Sequence, residues 1–284
     1  MTAQANRAGP RDRLTRAFGW WPAWTLGALV ICALAAPWLA PMDPDRQNLL
    51  ARLKPPGFDM RGDIFRLGSD ELGRDVLSRI IYGARISLSV AVLSVLLSGV
   101  VGVLVGMAAG YLRGWTETIL MRLVDIFLSI PAILLAIITV AVLGPGFINV
   151  ILVLALTRWP RYARVAYGQT LSVANRPFVQ LSRAMGAGTP RVLALHILPN
   201  IVGPLLVVAT LEFGLMVLFE AGLSFLGLGV QPPTASWGSM LSTGRNYVAS
   251  AWWIATFPGL ALFLLVLSAN LIGDRLGDRI GKGR

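Results

Sequence analysis

The chain alternates long apolar blocks with shorter breaks rich in arginine, glycine and proline. A helix needs about 20 residues to cross a bilayer, and six blocks can be drawn at that length. They are 20–40, 86–111, 119–143, a fourth starting at Phe147, 201–228 and 252–272. The fourth is the least regular. Its apolar part stops at Leu156, and Arg158, Trp159 and Pro160 follow. To cross, it must continue to about residue 167, with Arg158, Arg161 and Arg164 near the interface or snorkelling towards it. Pro131 predicts a kink in the third span, and Pro258 with Gly259 another in the sixth. Gly99, Gly102, Gly106 and Gly110 recur at close spacing in the second span. Such a face lets helices approach closely, and helix packing is enough to account for it.

Between the fourth and fifth blocks lies a different kind of segment, 175–200. It carries Arg176, Arg183, Arg191 and His196 with several small residues and no acid. It reads as two short helices joined by a glycine break. Asn175 is placed to cap the first, with Pro177 in its first turn. Gly186 and Gly188 end it, since glycine reaches left-handed angles cheaply. Thr189 is placed to cap the second helix, which begins at Pro190. A structured basic hairpin between spans is suited to docking another molecule.

Composition agrees with a membrane class. The 284 residues are 55% hydrophobic and 14% charged, with a mean hydropathy of +0.68; soluble domains carry about 25% charge. The fold class is therefore an all-α polytopic membrane protein. The net charge of +11 would suit nucleic acid, but the charges avoid the apolar runs. The positive-inside rule explains them better, so no nucleic acid partner is expected. Cys32 is the single cysteine and excludes an intramolecular disulfide. One histidine leaves no metal site of the usual zinc type.

Lysine and arginine also set the orientation. The tail 1–19 carries Arg7, Arg11, Arg13 and Arg16, and 158–196 carries six arginines without an acid. The tail 273–284 adds Arg275, Arg279, Lys282 and Arg284. With six spans these regions fall on one side, predicted cytoplasmic together with both termini. The loop 41–85 then faces outward. Its eight bases and seven acids nearly cancel, and long loops cross regardless of charge. An arginine-led apolar start with Ala33-Leu34-Ala35 resembles a signal peptide. The length of 20–40 and the spans that follow favour an uncleaved first helix.

Three acids fall inside the spans. Asp125 follows Arg122 by three residues, so a local ion pair is the expected reading rather than a transport role. Glu212 and Glu220 share the fifth span without a base, about 80° apart around the helix. They require a partner, a cavity or a proton. Either a water-filled pathway or a buried bond to another helix would supply this. No phosphate loop of the form GxxxxGK[ST] occurs, nor HExxH nor GxSxG. The chain therefore draws on a gradient or on a separate ATPase.

The hairpin resembles the EAA loop of ABC-importer permeases. Gln180-Leu181-Ser182, then Gly186, then His196-Ile197-Leu198-Pro199 follow its spacing, with Gln180 in place of the acid and Leu181 and Ser182 in place of the alanines. LGSDELGRDVLSRIIYGARISL (67–88) and EAGLSFLGLGVQPPTASWGSML (220–241) are similar to signatures of C-type subunits in the dipeptide/oligopeptide/nickel subfamily. The resemblance extends in order over about 67–281.

It implies a type I ABC-importer permease fold in a bacterial inner membrane. Residues 86–272 would form the core, with a coupling loop at 168–200 whose helix spans about 178–185. It also implies a B-type permease, two P-loop ATPases that bind ATP and Mg, an extracytoplasmic substrate-binding protein and surrounding lipid. No cofactor would sit in this chain, and it would not be an enzyme. By that resemblance ATPase coupling falls to Phe178, Gln180, Leu181, Ser182, Arg183, Ala184, Gly186, Ala187 and Pro190. The candidate substrate pathway comprises Glu212 and Glu220, with peptides as the expected cargo and a nickel chelate or glutathione as alternatives in the same complex. A gradient-driven transporter using the two glutamates is the competing class. An intramembrane enzyme lacks a paired nucleophile and base.

Overall fold

The computed structural model describes residues 20–60 and 62–282, so the tail 1–19 and Arg284 lie outside the described residues. Helix α1 spans Trp21–Leu34 and is followed by a single helical turn, Ala36–Leu39. A cap follows, built from a 3-10 turn at Leu49–Ala51 and an antiparallel hairpin of β1 (Phe58–Met60) and β2 (Asp63–Phe65). Helix α2 then runs over Val76–Leu112. It starts well before residue 86 because the Asp75 carboxylate accepts from the Ser78 N–H at 2.8 Å and from its hydroxyl at 2.7 Å. That cap satisfies donors which would otherwise be orphaned at the helix start. The end of the predicted loop is thus helix.

The third span is broken. Helices α3 (Gly114–Ser129) and α4 (Ala132–Leu143) meet at 91°. Ile130 is extended, as a residue before proline prefers, and Pro131 opens α4. The expected kink is a full change of direction. Helix α5 continues through Pro160 over Phe147–Ala174. Next come α6 (Pro177–Ala184) and α7 (Thr189–Val192), then a π-helical turn at Leu193–Ile197 that feeds α8 (Leu198–Phe225). Helix α9 covers Trp237–Arg245 and α10 covers Trp253–Lys282. Helix α10 runs unbroken through Pro258, which lies near its start, and passes the predicted end of the sixth span.

Among the described residues, α2, the continuous stretch Thr189–Phe225 and α10 are each long and apolar enough to cross a membrane, and α3 with α4 makes a fourth if taken as one broken span. Helix α1 is shorter, and α5 carries its three arginines. Helices α2 and α5 run parallel and pack backbone to backbone. A Cβ on Gly102 would lie 2.3 Å from the Trp159 carbonyl oxygen, and one on Gly106 would lie 2.3 Å from that of Ala163. Helices α8 and α10 meet likewise at Gly273, where a Cβ would sit 2.5 Å from the Thr210 hydroxyl.

Two indoles tie the cap end together, one joining the cap to α10 and one joining α9 to α2. Trp253 donates to the Ser69 carbonyl at 3.1 Å and Trp237 to that of Ile80 at 2.9 Å. At the other end Arg279 stacks on Trp20, with 5.1 Å to the ring centroid, and Gly203 faces Ile280. The start of α1, the end of α10 and the base of the hairpin therefore share one end of the bundle, opposite the cap.

Replacing Gly106 by leucine is expected to cost about 1–3 kcal/mol through overpacking, lowering the thermal unfolding midpoint in detergent. Gly27→Leu is expected to leave that midpoint unchanged, because nothing lies within 4 Å of a Cβ there.

Candidate functional site

The hairpin at 175–200 is held by its own turn chemistry. Gly186 has φ +87°. Its N–H donates to the Arg183 carbonyl at 2.9 Å, and the Ala187 N–H donates to that of Ser182 at 3.1 Å. This is the Schellman arrangement, which satisfies the last carbonyls of α6. The helix-start details differ from expectation. Asn175 closes α5, its side chain donating to the Leu171 carbonyl at 2.9 Å, and α6 starts after Arg176 with no side-chain cap. Thr189 lies inside α7, behind Gly188, and likewise caps nothing. Helix α7 is not a separate piece either, since it runs through the π turn into α8. Pro199 accounts for that turn. It has no N–H for the Leu195 carbonyl, its ring crowds that carbonyl, and widening the preceding turn relieves both.

The hairpin buries Val179, Val192 and Ile197 against Met107, Val173 and Ile201. Two polar contacts pin it further. Ser182 lies 3.0 Å from the His196 Nε2, and the Arg183 guanidinium sits 5.3 Å from the Tyr111 ring centroid. The large apolar side chains left outward on α6 and at its end are Phe178, 42% exposed, Leu181, 62%, and Met185, 79%. Gln180, Arg183, Ala184, Gly186 and Pro190 are also exposed, while Ser182 and Ala187 are half-buried. Gln180 turns inward to the chain itself, donating to the Asn175 carbonyl at 3.3 Å. The result is a short, rigid knob with a greasy tip.

The charges of the spans pair across helices. Asp125 bonds to Arg164 of α5, not to Arg122. The i, i+3 spacing with Arg122 loses to a helix packed alongside. Glu212 is buried at 2% exposure. It lies 3.8 Å from Arg158 and 3.4 Å from Arg161. Arg158 is buried beside Glu212, whereas Arg161 reaches it from an exposed position. The Arg158 guanidinium also lies 4.1 Å from the Phe219 ring centroid, a cation–π contact. Glu220 is wholly buried and accepts from Ser87 and Ser224, each at 2.8 Å. Within this chain both glutamates have the geometry of a buried bond to another helix. A groove of about 800 Å³ between α1, α2, α8 and α10 is lined by neither; Arg85, Ser89 and Thr210 are the polar residues on its otherwise apolar wall.

The segment 67–88 builds the cap. Asp70 accepts from Arg74 Nε at 2.6 Å and lies 3.6 Å from Arg79 Nε, and all three are buried. Burial raises the carboxyl pKa values of Glu71 and Asp75 above their ordinary range; next to it, the Asp70 charge raises Glu71 further and the Ser78 hydroxyl opposes the rise at Asp75. A Cβ on Gly73 would fall 1.8 Å from the Asn48 carbonyl oxygen. The segment 220–241 folds α9 back on α8, where a Cβ on Gly238 would lie 2.5 Å from the Ala221 carbonyl oxygen. Both signatures therefore secure the cap end of the bundle.

Comparison with known proteins matches residues 102–282 to the binding-protein-dependent transport system inner membrane component family. Residues 19–56 match the N-terminal TM domain of oligopeptide transport permease C. The di/tripeptide transport system permease protein DppC of Pseudomonas aeruginosa (strain UCBPP-PA14) is 47% identical over 253 residues, 89% of this chain and 84% of that protein. The dipeptide transport system permease protein DppC of Escherichia coli (strain K12) is 46% identical over the same shares. An inward-facing structure of the MetNI methionine ABC transporter shares the fold at TM-score 0.58 and 22% identity, covering 70% of this chain and 95% of that one. The chain belongs to the family of inner-membrane components of binding-protein-dependent transport systems. It is a polytopic permease subunit with the type I fold of ABC importers.

The sequence did not reveal Met185 as the most exposed apolar residue of the knob, nor the π turn, nor the Arg158–Glu212–Arg161 cluster. A signal for the last was present: one span holds bases without acids and the next holds acids without bases. Removing the imidazole in His196→Ala is expected to cost about 1 kcal/mol. It should speed amide hydrogen exchange across 177–187 and leave exchange around Gly102 and Gly106 as it is.

Proposed function

We propose that this chain is one permease of a heteromeric ATP-driven importer that takes up di- or oligopeptides. The hairpin and both termini lie in the cytoplasm. A B-type permease completes the pathway, two P-loop ATPase subunits bind ATP and Mg, and an extracytoplasmic binding protein delivers the cargo. The first span is 20–40, the extracytoplasmic loop 41–85 and the permease core 86–272, with 168–200 as the coupling loop. Peptide as cargo is supported by the names of the dipeptide and di/tripeptide permeases to which the chain is similar.

One observation carries the coupling role: the apolar tip of Phe178, Leu181 and Met185 on a helix locked to α2, α5 and α8. Such a tip seats in a groove on a partner. Because its base is locked, a push on it moves the spans as rigid bodies and gives alternating access. Gly186 holds the tip's angle, and Phe178, Gln180, Leu181, Ser182, Arg183, Ala184, Ala187 and Pro190 surround it. Gln180 can only hydrogen-bond where an acid would form an ion pair, so its contact depends weakly on salt. Glu212 and Glu220 act as interior posts beside the pathway.

In reconstituted complexes, Leu181→Asp is expected to weaken ATPase association by about tenfold or more, as for a buried apolar anchor. Gly186→Val should do the same, since a β-branched side chain resists its left-handed angle. Unchanged association and uptake in both variants would remove the coupling assignment. Uptake that persists without ATP on an ion gradient would instead favour a gradient-driven transporter.

A further inference from the structure

Glu212 has one carboxylate and two arginines, so the cluster carries a surplus positive charge. Its position is interior. Glu212 lies about 16 Å along the helix from Ile201 at 1.5 Å per residue, well inside the apolar run. Arg158 is buried, and its Nε has no hydrogen-bond partner among the described residues. Arg161 is different. It reaches Glu212 with one arm while its side chain stays 56% exposed.

The surroundings of Arg161 say what it is exposed to. Beyond Thr157, the exposed positions of α5 are Arg161, Arg164, Gly168 and Ser172, spaced by three or four residues on one face. None is apolar. The outer half of the same helix exposes Ile148, Leu152 and Leu156. Lipid suits the outer set and excludes the inner one, because intramembrane charges face a bundle interior or a water-filled cavity. Arg164 already has Asp125. Among the described residues of α5, Arg161 is the exposed cation with a free arm, braced from behind by Glu212.

We propose that Arg161 binds the carboxylate of the transported solute as it passes through the membrane, with Glu212 and Arg158 as positioning residues. This rests on the peptide-import reading above, in which the C-terminal carboxylate is the anion common to every cargo. A planar guanidinium meets a carboxylate through two parallel bonds. Sharing Glu212 with Arg158 leaves Arg161 only partly neutralised, so it holds a passing anion without trapping it.

The test uses the complete complex in proteoliposomes, with ATP inside and dipeptides or their C-terminal amides delivered by the same binding protein. Arg161→Gln is expected to reduce the acid-to-amide uptake ratio about tenfold relative to wild type, the value of one charge-assisted contact. Arg161→Lys should restore most of it. Equal loss of both substrates, or separation of the two permeases, would make Arg161 a structural or interface residue and overturn the proposal. A second arm does not depend on the cargo. Gly168→Cys, two turns along the same exposed face and leaving Arg161 in place, in a Cys32→Ser background is treated with a sulfonate and a quaternary-ammonium methanethiosulfonate from the hairpin side. The anionic reagent is expected to react about tenfold faster, as in a cleft of positive potential. No reaction with either, or no preference, overturns the anion site. If wild type imports no dipeptide while the anionic preference holds, the peptide reading fails and the anion site stands.

Discussion

Where α2 and α5 cross, hydrogen atoms at Gly102 and Gly106 let two backbones touch, and much of the bundle is arranged by that contact. A Cβ at either glycine would collide with a main-chain carbonyl of α5, which no side-chain rearrangement relieves. The approach holds α5 at a fixed depth and rotation against a helix that crosses the membrane by itself. Helix α5 is too basic to hold such a position by hydrophobicity alone. Packing without a hydrophobic drive is how helices associate inside lipid, and small residues permit it.

The rotation of α5 then decides the fate of its arginines. Arg158 turns into the bundle against Glu212 and Phe219, and Arg164 turns towards α3 and Asp125. Arg161 falls between them, half in and half out. In a low-dielectric interior a lone charge is costly, so each acid of the spans is found beside donors from another helix. Glu220 shows the neutral version of the same rule, with serine hydroxyls from α2 and from its own helix as partners.

The same placement carries the hairpin. It hangs from the ends of α5 and α8, is pressed on α2 through Arg183 and Tyr111, and presents Phe178, Leu181 and Met185 outward. The far end is locked by Trp237 and Trp253 and by the buried Asp70–Arg74 pair. A bundle stapled at one end and bearing a rigid handle at the other is suited to rigid-body rocking.

Much was legible in the chain itself. Block length and hydropathy declared a polytopic helical protein, glycine spacing marked the α2 face, and Gly186 and Pro131 marked a turn and a break, because these follow from local chemistry. The Gly186 and Leu-Pro spacing pointed to the family. Local rules failed where a neighbouring helix supplied the alternative: Asp125 chose Arg164 over Arg122, Asn175 closed one helix instead of opening the next, and Pro199 widened a turn that no propensity describes. The sequence by itself determined the class, the break at Pro131 and the hairpin. Only the tertiary structure decided which charges meet and which one is left with a free arm, because pairing inside a membrane depends on how each helix is rotated against its neighbours, and that rotation is set by packing between residues far apart in the chain.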